Sequence, residues 1–330
     1  MRALFLCVLL VFRCGVAGGQ EPLRAVFWNL ENFFDPCDDG AGEADTEFSA
    51  AGPRHWTWRR FDAKCRTVAK ALLWMGEQAG GLPELVGVAE VENRRVLARL
   101  LATDALGKSD YRIVHFESPD PRGIDVALLY RSGVFRLVEA EAHPVRDSAG
   151  AVLPTRALLR AELAREGDTL QVVVCHFPSQ YGGAASLPRR AAAVRCLKAL
   201  SDSLRAAGKT RQLVLGDFNQ TPESPAFAPL AEGLVNLALP LARRGEGTIR
   251  YEGRWELIDQ AWVSPNLAPG ASLQVVRIPF LMGRDSAHPG EKPLRTWVGP
   301  RYQGGVSDHL PVLLEIEKKF VSLKTIHKHE

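Results

Sequence analysis

Six short apolar runs, each bounded by a residue that can bind a metal ion or a phosphate, constrain the fold of this chain most strongly. The runs are rich in valine, leucine and isoleucine and lie between polar residues, which is typical of buried β-strands. The polar residues then lie at strand ends, where a packed sheet fixes their position while the adjoining loops stay open to solvent. They are Asn29, Glu31, Glu90, His176, Asp217, Asn219, Asp259, Asp308 and His309. We expect one cleft to gather them.

Two of these groups repeat the same spacing. Asn29 and Glu31 are two residues apart, as are Asp217 and Asn219. On an extended chain, residues at this spacing point to the same face. Each pair therefore presents one carboxylate, which can hold a hard cation, beside one amide, which can donate a hydrogen bond to an anionic oxygen. Asn and Asp at strand ends also form simple turns, but six such sites together favour a functional cleft.

Six motifs follow one another along the chain from Asn29 to about Leu314. They are Asn-Leu-Glu-Asn at 29–32, Glu90 within 88–93, His-Phe at 176–177, Gly-Asp-Phe-Asn at 216–219, Ile-Asp at 258–259 and Ser-Asp-His-Leu-Pro at 307–311. In content and order they closely resemble the endonuclease/exonuclease/phosphatase superfamily, which has the deoxyribonuclease I-like fold. Segments 56–58, 122–125 and 302–305 look like a bacterial exported branch of it. The resemblance implies an α/β fold: a four-layer α/β/β/α sandwich of two mainly antiparallel sheets.

The length and the absence of a long linker favour a single domain. The residues after Gln20 number 310, enough for one large core. We therefore predict one endonuclease/exonuclease/phosphatase domain over residues 21–318, followed by a basic tail at 319–330. No heptad repeat demands self-association, so we expect a monomer.

The first twenty residues have the layout of a signal peptide. Arg2 precedes an apolar stretch at 3–12, and small residues follow at 16–19. This stretch is too short to span a bilayer but fits a secretory signal at 1–20, cleaved near 18–20. We expect export to the periplasm or the extracellular space, with no stable membrane insertion. An N-terminus without a secretory role is the alternative.

Three segments are predicted to be amphipathic helices. The first carries apolar residues from Phe61 to Met75 and ends at Gly80-Gly81, and the second begins at a capping Asn93. The third runs through Val194 to Leu204 and is closed by Gly208. Their apolar stripes are expected to pack on the sheets.

The cysteines leave two readings open. Cys37, Cys65, Cys175 and Cys196 remain after signal cleavage. In an oxidising compartment they could form two disulfides, with Cys37–Cys65 and Cys175–Cys196 as the local pairing among three connectivities. Free buried thiols are the alternative.

The charge excludes a broadly basic surface. Removal of Arg2 and Arg13 with the signal peptide lowers the formal net charge from +3 to +1. Local patches remain: aromatic and cationic residues alternate at 55–60 and again within 284–302. Such segments could stack on bases and contact phosphates, or could be solvated loops.

The residue types indicate the metal. Glu31, Glu90 and Asp308 offer only oxygen ligands, which favour Mg²⁺, Mn²⁺ or Ca²⁺ over zinc, with Mg²⁺ as the default choice. His309 is the best candidate base because histidine titrates near neutral pH, and Asp259 could fix its tautomer.

The resemblance implies further roles in the site. His176 would stabilise the transition state or protonate the leaving oxygen, and Asp217 would orient the attacking water. Asn29 and Asn219 would bind phosphate oxygens. Arg122 and Arg156 are weaker candidates for substrate contacts, because a structural salt bridge, for example with Asp125, explains an arginine at such a position equally well.

Together these features predict a divalent-metal-dependent phosphoesterase that hydrolyses phosphodiester bonds by in-line attack of water, with nucleic acid as the expected substrate. A phosphatase or a sphingomyelinase-like lipid phosphodiesterase is the alternative, because fold alone does not select the substrate. A non-catalytic surface binding protein is a third reading, which the intact set of candidate residues disfavours.

Overall fold

The computed structural model describes residues 22–40, 42–180 and 183–317. The predicted signal peptide at 1–20 and basic tail at 319–330 lie outside these residues. The strands in the described part are Leu23–Phe33 (β1), Leu85–Val91 (β2), Tyr111–His115 (β3), Asp125–Arg131 (β4), Arg136–His143 (β5), Leu158–Arg165 (β6), Asp168–His176 (β7), Gln212–Asp217 (β8), Val235–Asn236 (β9), Ile249–Tyr251 (β10), Arg254–Glu256 (β11), Asp259–Val263 (β12), Ala271–Val275 (β13), Met282–Arg284 (β14), Glu291–Pro293 (β15), Trp297–Val298 (β16), Arg301–Tyr302 (β17) and Val312–Ile316 (β18).

The three long helices confirm the predicted amphipathic segments. Trp58–Ala79 (α2) ends at Gly80, whose positive φ of 83° suits a helix terminus. The Asn93 side chain accepts hydrogen bonds from two backbone amides at the start of Arg94–Leu101 (α3). The third is Leu187–Ala206 (α4). The shorter α-helices are Glu43–Glu47 (α1), Ala228–Ala231 (α5) and Leu239–Arg243 (α6).

Two six-stranded sheets dominate the fold. The first has the order β13-β18-β1-β2-β4-β3 and the second β5-β6-β7-β8-β12-β9. One central pair in each sheet is parallel, β1 with β2 and β7 with β8, and the remaining neighbours are antiparallel. The prediction of two mainly antiparallel sheets is confirmed.

The alternation of side chains along β1 shows the layers. Ala25 and Phe27 belong to a core shared with β7, β8 and β12 of the second sheet. Val26 and Trp28 belong to a different core, shared with α2 and α3. On the far side, residues of β7, β8 and β12 pack against α4. Helices therefore cover both outer faces, as in the predicted four-layer sandwich, and strands buried on both faces read as continuous apolar runs.

In each sheet, the central parallel strands bring candidate residues to the same end of the strands. Parallel strands end at the same side of a sheet, so Asn29 in β1 lies beside Ala89, the residue before Glu90. In the second sheet Asp217 of β8 is in register with His176 of β7 on one side and Asp259 of β12 on the other. The order and direction of the strands thus place these residues at the ends of neighbouring strands, where the sequence predicted them.

The four cysteines among the described residues are free thiols, so neither predicted disulfide is present. Cys65 and Cys175 are buried, as the alternative expected, whereas Cys37 and Cys196 are partly exposed. No helix in this part of the chain has both the length and the apolar character that a membrane span requires.

Candidate active site

A buried histidine–aspartate pair lies at the centre of the site. Asp259, at the start of β12, is completely buried, and its Oδ2 atom lies 2.7 Å from Nδ1 of His309. The opposite ring nitrogen, Nε2, lies 3.9 Å from Asp217 and 3.9 Å from Asp308. Burial opposes a charge on His309, but the carboxylates of Asp259, Asp217 and Asp308 outweigh it and raise its pKa well above the ordinary value. Asp259 thus fixes the ring so that Nε2 faces the other acids.

Asp217 connects this pair to the neighbouring sheet. Its Oδ1 accepts a hydrogen bond from the amide of Asn219, and its Oδ2 accepts one from Nδ2 of Asn29. Burial and the nearby Asp259 raise the pKa of Asp217 to about 7. Nδ2 of Asn29 also lies 3.3 Å from Glu90, and its Oδ1 accepts from the amide of Glu31. Asn29 is therefore a buried link between the two sheets, and its predicted contact with phosphate would require an exchange of these hydrogen bonds.

His176 sits at the end of β7 with Nε2 3.5 Å from Asp217. Burial and the positive charges of Arg156 and Arg122 lower its pKa well below the ordinary value, so its imidazole is neutral. A neutral ring can donate a hydrogen bond to a phosphate oxygen but is a weak proton donor. Asn219 lies alongside, with Nδ2 bonded to the Phe177 carbonyl.

The two candidate arginines occupy different environments. The guanidinium of Arg156 is buried, pairs with Asp120 at 2.7 Å and donates to the carbonyls of His176 and Phe177. It holds the end of β7 in place, as the structural alternative expected, although the partner is Asp120 and not Asp125. Arg122 pairs more loosely with Asp120 at 3.4 Å, is 41% exposed and lines the cavity. Of the two, Arg122 is the one free to reach a substrate.

Glu31, Glu90 and Asp308 all line the same cavity. Arg295 bridges two of them: its Nη2 lies 2.9 Å from Glu31 and 3.2 Å from Asp308. Burial and the charge of Asp308 nevertheless raise the pKa of Glu31 to about 7. The third, Glu90, accepts from the amide of Asn32 at 2.8 Å. Among the described residues, Glu31, Glu90 and Asp308 are not one of the groups whose ligand atoms lie within 4.8 Å of one another. Their oxygen-only donors are of the kind that a hard divalent metal ion takes, but the three would have to move closer together to share one.

Left-handed backbone is concentrated around the cavity. Glu31, Asn32, Glu90 and Asn219 have φ between 46° and 60°, and all four line it. This conformation costs non-glycine residues about 1–3 kcal/mol each and persists where the surrounding structure enforces it. At the ends of β1, β2 and β8 it turns the chain so that side chains enter the cavity.

Sequence reasoning missed several supporting residues. Lys64 of α2 is buried, donates to the Glu31 carbonyl at 2.6 Å and to the Thr296 hydroxyl at 2.9 Å. Burial lowers its pKa to about 8. Ser307 donates to the Asn29 carbonyl and accepts from the amide of His309. A signal for Lys64 existed: it interrupts the apolar stripe between Phe61 and Cys65, where only a partnered lysine is tolerated.

The cavity has a volume of about 430 Å³, within the range of small-molecule sites. Beyond the catalytic candidates, Arg250 and Tyr251 of β10 and Lys292 of β15 contribute to its wall. Arg250 and Lys292 both pair with Asp285, at 3.6 Å and 3.1 Å. Arg122 and Arg295 are the more exposed cations of the lining, and they suit an anionic ligand.

The aromatic residues of the two predicted patches do not form a stacking surface for bases. Trp56 and Trp297 are 1% and 7% exposed, and their rings lie 6.2 Å apart in one cluster. Tyr302 packs on Trp297 at 5.3 Å, and Arg60 covers Tyr302 at 4.5 Å. The alternating pattern thus reflects two loops that pack on each other. Trp58, which is 46% exposed, is the exception.

The four-layer fold, the His309–Asp259 pair and the oxygen-only acids define a phosphoester hydrolase of the metal-dependent type. A model of the Endonuclease/Exonuclease/phosphatase family matches residues 24–318, and the chain belongs to that family. No curated protein sequence matches the chain.

Solved structures share the fold at low sequence identity. The human Nocturnin catalytic domain with bound sulfate is 18% identical, with 90% of this chain and 94% of that chain covered and a TM-score of 0.55. The Bacteroides thetaiotaomicron mannosyl-6-phosphatase Bt3783 is 15% identical, with 89% and 99% covered and a TM-score of 0.55. D. rerio TDP2 complexed with single-strand DNA product is 15% identical, with 90% and 99% covered and a TM-score of 0.52.

Proposed function

We propose that the chain is an exported, Mg²⁺-dependent phosphodiesterase that cleaves nucleic acid by in-line attack of water. The observation that carries this is the convergence of the His309–Asp259 pair with Asp217 and the acids Glu31, Glu90 and Asp308 on one cavity. The cationic side chains of Arg122 and Arg295 in its lining support an anionic substrate. The bound single-strand DNA product of D. rerio TDP2 supports nucleic acid.

His309 would act as the general base from its neutral form. The charges of Asp259, Asp217 and Asp308 raise its pKa, and a divalent ion bound at Asp308 would offset part of that negative charge. Nε2 faces Asp217 and Asp308, and the attacking water between them would lose its proton to this nitrogen as its oxygen bonds to phosphorus. Asp259 stabilises the imidazolium that forms, and Asp217 orients the water. The bond from phosphorus to the leaving oxygen breaks on the opposite side, and that oxygen takes up a proton from solvent. No covalent intermediate is needed.

Glu31, Glu90 and Asp308 would hold the metal ion, which supplies positive charge to a non-bridging phosphate oxygen when bound. Arg295 would then release part of its contact with these acids and remain available to the phosphate. Neutral His176 and the side-chain amide of Asn219 would donate hydrogen bonds to the remaining phosphate oxygens. These donors stabilise the charge that develops in the transition state.

The size of the cavity favours a second candidate, a phosphatase acting on a small phosphomonoester. A volume of about 430 Å³ lies within the range of small-molecule sites and accommodates one nucleotide or one sugar phosphate. Structural similarity to the mannosyl-6-phosphatase Bt3783 is consistent with this candidate.

The test is hydrolysis by the chain from Glu21, with Mg²⁺ or Mn²⁺, of single- and double-stranded DNA, RNA, a sugar phosphate and sphingomyelin. EDTA and the His309→Ala variant serve as controls. Metal-dependent cleavage of nucleic acid that is lost in both controls supports the proposal. Exclusive turnover of the sugar phosphate supports the second candidate, and turnover of sphingomyelin alone or of nothing contradicts both.

Export rests on the sequence of residues 1–20. Expression of the whole chain in a bacterial host, followed by N-terminal sequencing of the periplasmic fraction, should find a mature end near Gly19 to Glu21. Retention of the uncleaved chain in the cytoplasm contradicts export.

A further inference from the structure

A second acidic cluster lies between the end of β1 and the start of α3. It contains Asp35, Asp39 and Asp45 from the segment after β1, and Glu92 from the end of β2. Arg95 of α3 pairs with two of these acids, at 2.6 Å from Asp35 and 2.5 Å from Asp39. The Arg95 guanidinium thus contacts two of the four carboxyl groups, and half of the Arg95 side chain is exposed to solvent.

Glu92 provides an independent sign that a ligand belongs there. The residue is completely buried, and its Oε2 accepts a hydrogen bond from the amide of Asp35 at 2.7 Å. Its Oε1 is buried as well and has no hydrogen-bond partner among the described residues. A buried carboxylate oxygen without a partner costs several kcal/mol and calls for a cation or a proton.

The spacing suits a cation. One carboxylate oxygen each from Asp39, Asp45 and Glu92 lies within 4.8 Å of the other two. A Ca²⁺ ion takes oxygen ligands at about 2.3–2.6 Å, so two ligands on opposite sides of it lie about 5 Å apart. No histidine or cysteine ligand atom of the described chain belongs to this group. A metal ion could therefore sit among these oxygens with little rearrangement.

We propose that Asp39, Asp45 and Glu92 form a structural Ca²⁺ site, separate from the catalytic acids. Calcium is favoured over magnesium because it accepts crowded carboxylate sets in irregular geometry, whereas Mg²⁺ keeps several waters. Asp45 and Glu92 are fully buried and leave little room for such waters. The site would tie the segment 35–45 to the end of β2, two residues after the catalytic candidate Glu90.

The test uses a background in which two catalytic acids are removed, Glu90→Gln with Asp308→Asn, so that they do not contribute to calcium binding. The further variant Asp39→Asn then assigns the remaining calcium, because the groups His115/Glu117/Asp125 and Asp217/Asp259/His309 stay intact. Metal-free protein is titrated with CaCl₂ by calorimetry, and its thermal unfolding is followed. One equivalent of Ca²⁺ should bind, and the Tm should rise by about 5 °C when calcium exceeds its Kd about a hundredfold. Absence of binding overturns the proposal, as does tighter binding of Mg²⁺ than of Ca²⁺.

Asp39→Asn in this background is the informative variant because Asp39 is 42% exposed and its loss is compatible with folding. Calcium affinity should fall about tenfold or more. The matched control is Asp62→Asn, which also removes a partly exposed partner of an α3 arginine, Arg99 at 3.0 Å. Glu92→Gln keeps the acceptor for Asp35 and should also lose calcium affinity. Equal affinity in Asp39→Asn and Asp62→Asn overturns the assignment.

Discussion

The His309–Asp259 pair makes a quantitative prediction for the variant Asp259→Asn. Asp259 is completely buried, and its contact with Nδ1 of His309 is 2.7 Å. The substitution keeps the volume but removes the negative charge that stabilises the imidazolium. It also lets the amide donate to Nδ1, which would leave the proton on Nε2 and abolish the base.

The size of the effect follows from the separation of the charges. Two opposite unit charges about 4 Å apart attract by about 4 kcal/mol at an effective dielectric constant of about 20. Because about 1.4 kcal/mol changes a rate tenfold, kcat should fall by about a thousandfold. The KM should change little, since Asp259 lies beneath His309 and does not line the cavity.

The changes in kcat and KM are measured separately by steady-state hydrolysis of whichever of the proposed substrates the enzyme cleaves. The matched control is Asp125→Asn, because Asp125 forms another buried pair with a histidine, His115 at 3.1 Å, and neither residue lines the cavity. The control should retain kcat within a few-fold. An Asp259→Asn enzyme that is folded and keeps kcat within tenfold of the parent refutes the assignment of His309 as the base.

Three further outcomes follow from the structure. Arg156→Met leaves Asp120 buried without its main partner and should lower the free energy of unfolding by about 3–5 kcal/mol in urea titrations. Arg122→Met removes a partly exposed partner of the same acid and should change the free energy of unfolding by less than about 1 kcal/mol. Equal losses in the two variants would contradict the structural role of Arg156. Trp56→Ala empties a fully buried position and should cost about 3–5 kcal/mol, while Trp58→Ala should cost far less by the same measurement. EDTA should abolish turnover and excess Mg²⁺ should restore it; turnover that persists after chelation contradicts a metal-dependent reaction.

The fold and the central residues could be predicted from sequence because their signals are local. Continuous apolar runs in β1, β2, β7 and β8 reflect strands covered on both faces, and the polar residues that end them mark the edge of the sheet. The contact of Asp259 with His309 joins residues 50 positions apart, and it could be expected because both residues belong to motifs of the family resemblance. The family match over residues 24–318 agrees with these motifs.

The supporting contacts could not be predicted because they join residues far apart in the chain. Arg295 contacts Glu31 across 264 residues, and Lys64 reaches Thr296 across 232. An arginine or a lysine in a loop has the same local sequence signal whether it is solvated or buried against a distant acid. The same limit explains Trp56 and Trp297, whose aromatic and cationic surroundings suggested a surface for bases although the two rings pack on each other.

The strained backbone explains why these distant contacts matter to the site. Glu31, Glu90 and Asn219 hold left-handed conformations that each cost free energy, so contacts formed elsewhere must enforce them. Lys64 holds the Glu31 carbonyl, Glu90 itself accepts from the amide of Asn32, and Asn219 donates to the Phe177 carbonyl. Glu90 and Asn219 therefore both line the cavity and form hydrogen bonds that hold the backbone in its left-handed conformation. A substitution such as Lys64→Met should therefore disturb the catalytic acids through the backbone, even though Lys64 does not line the cavity.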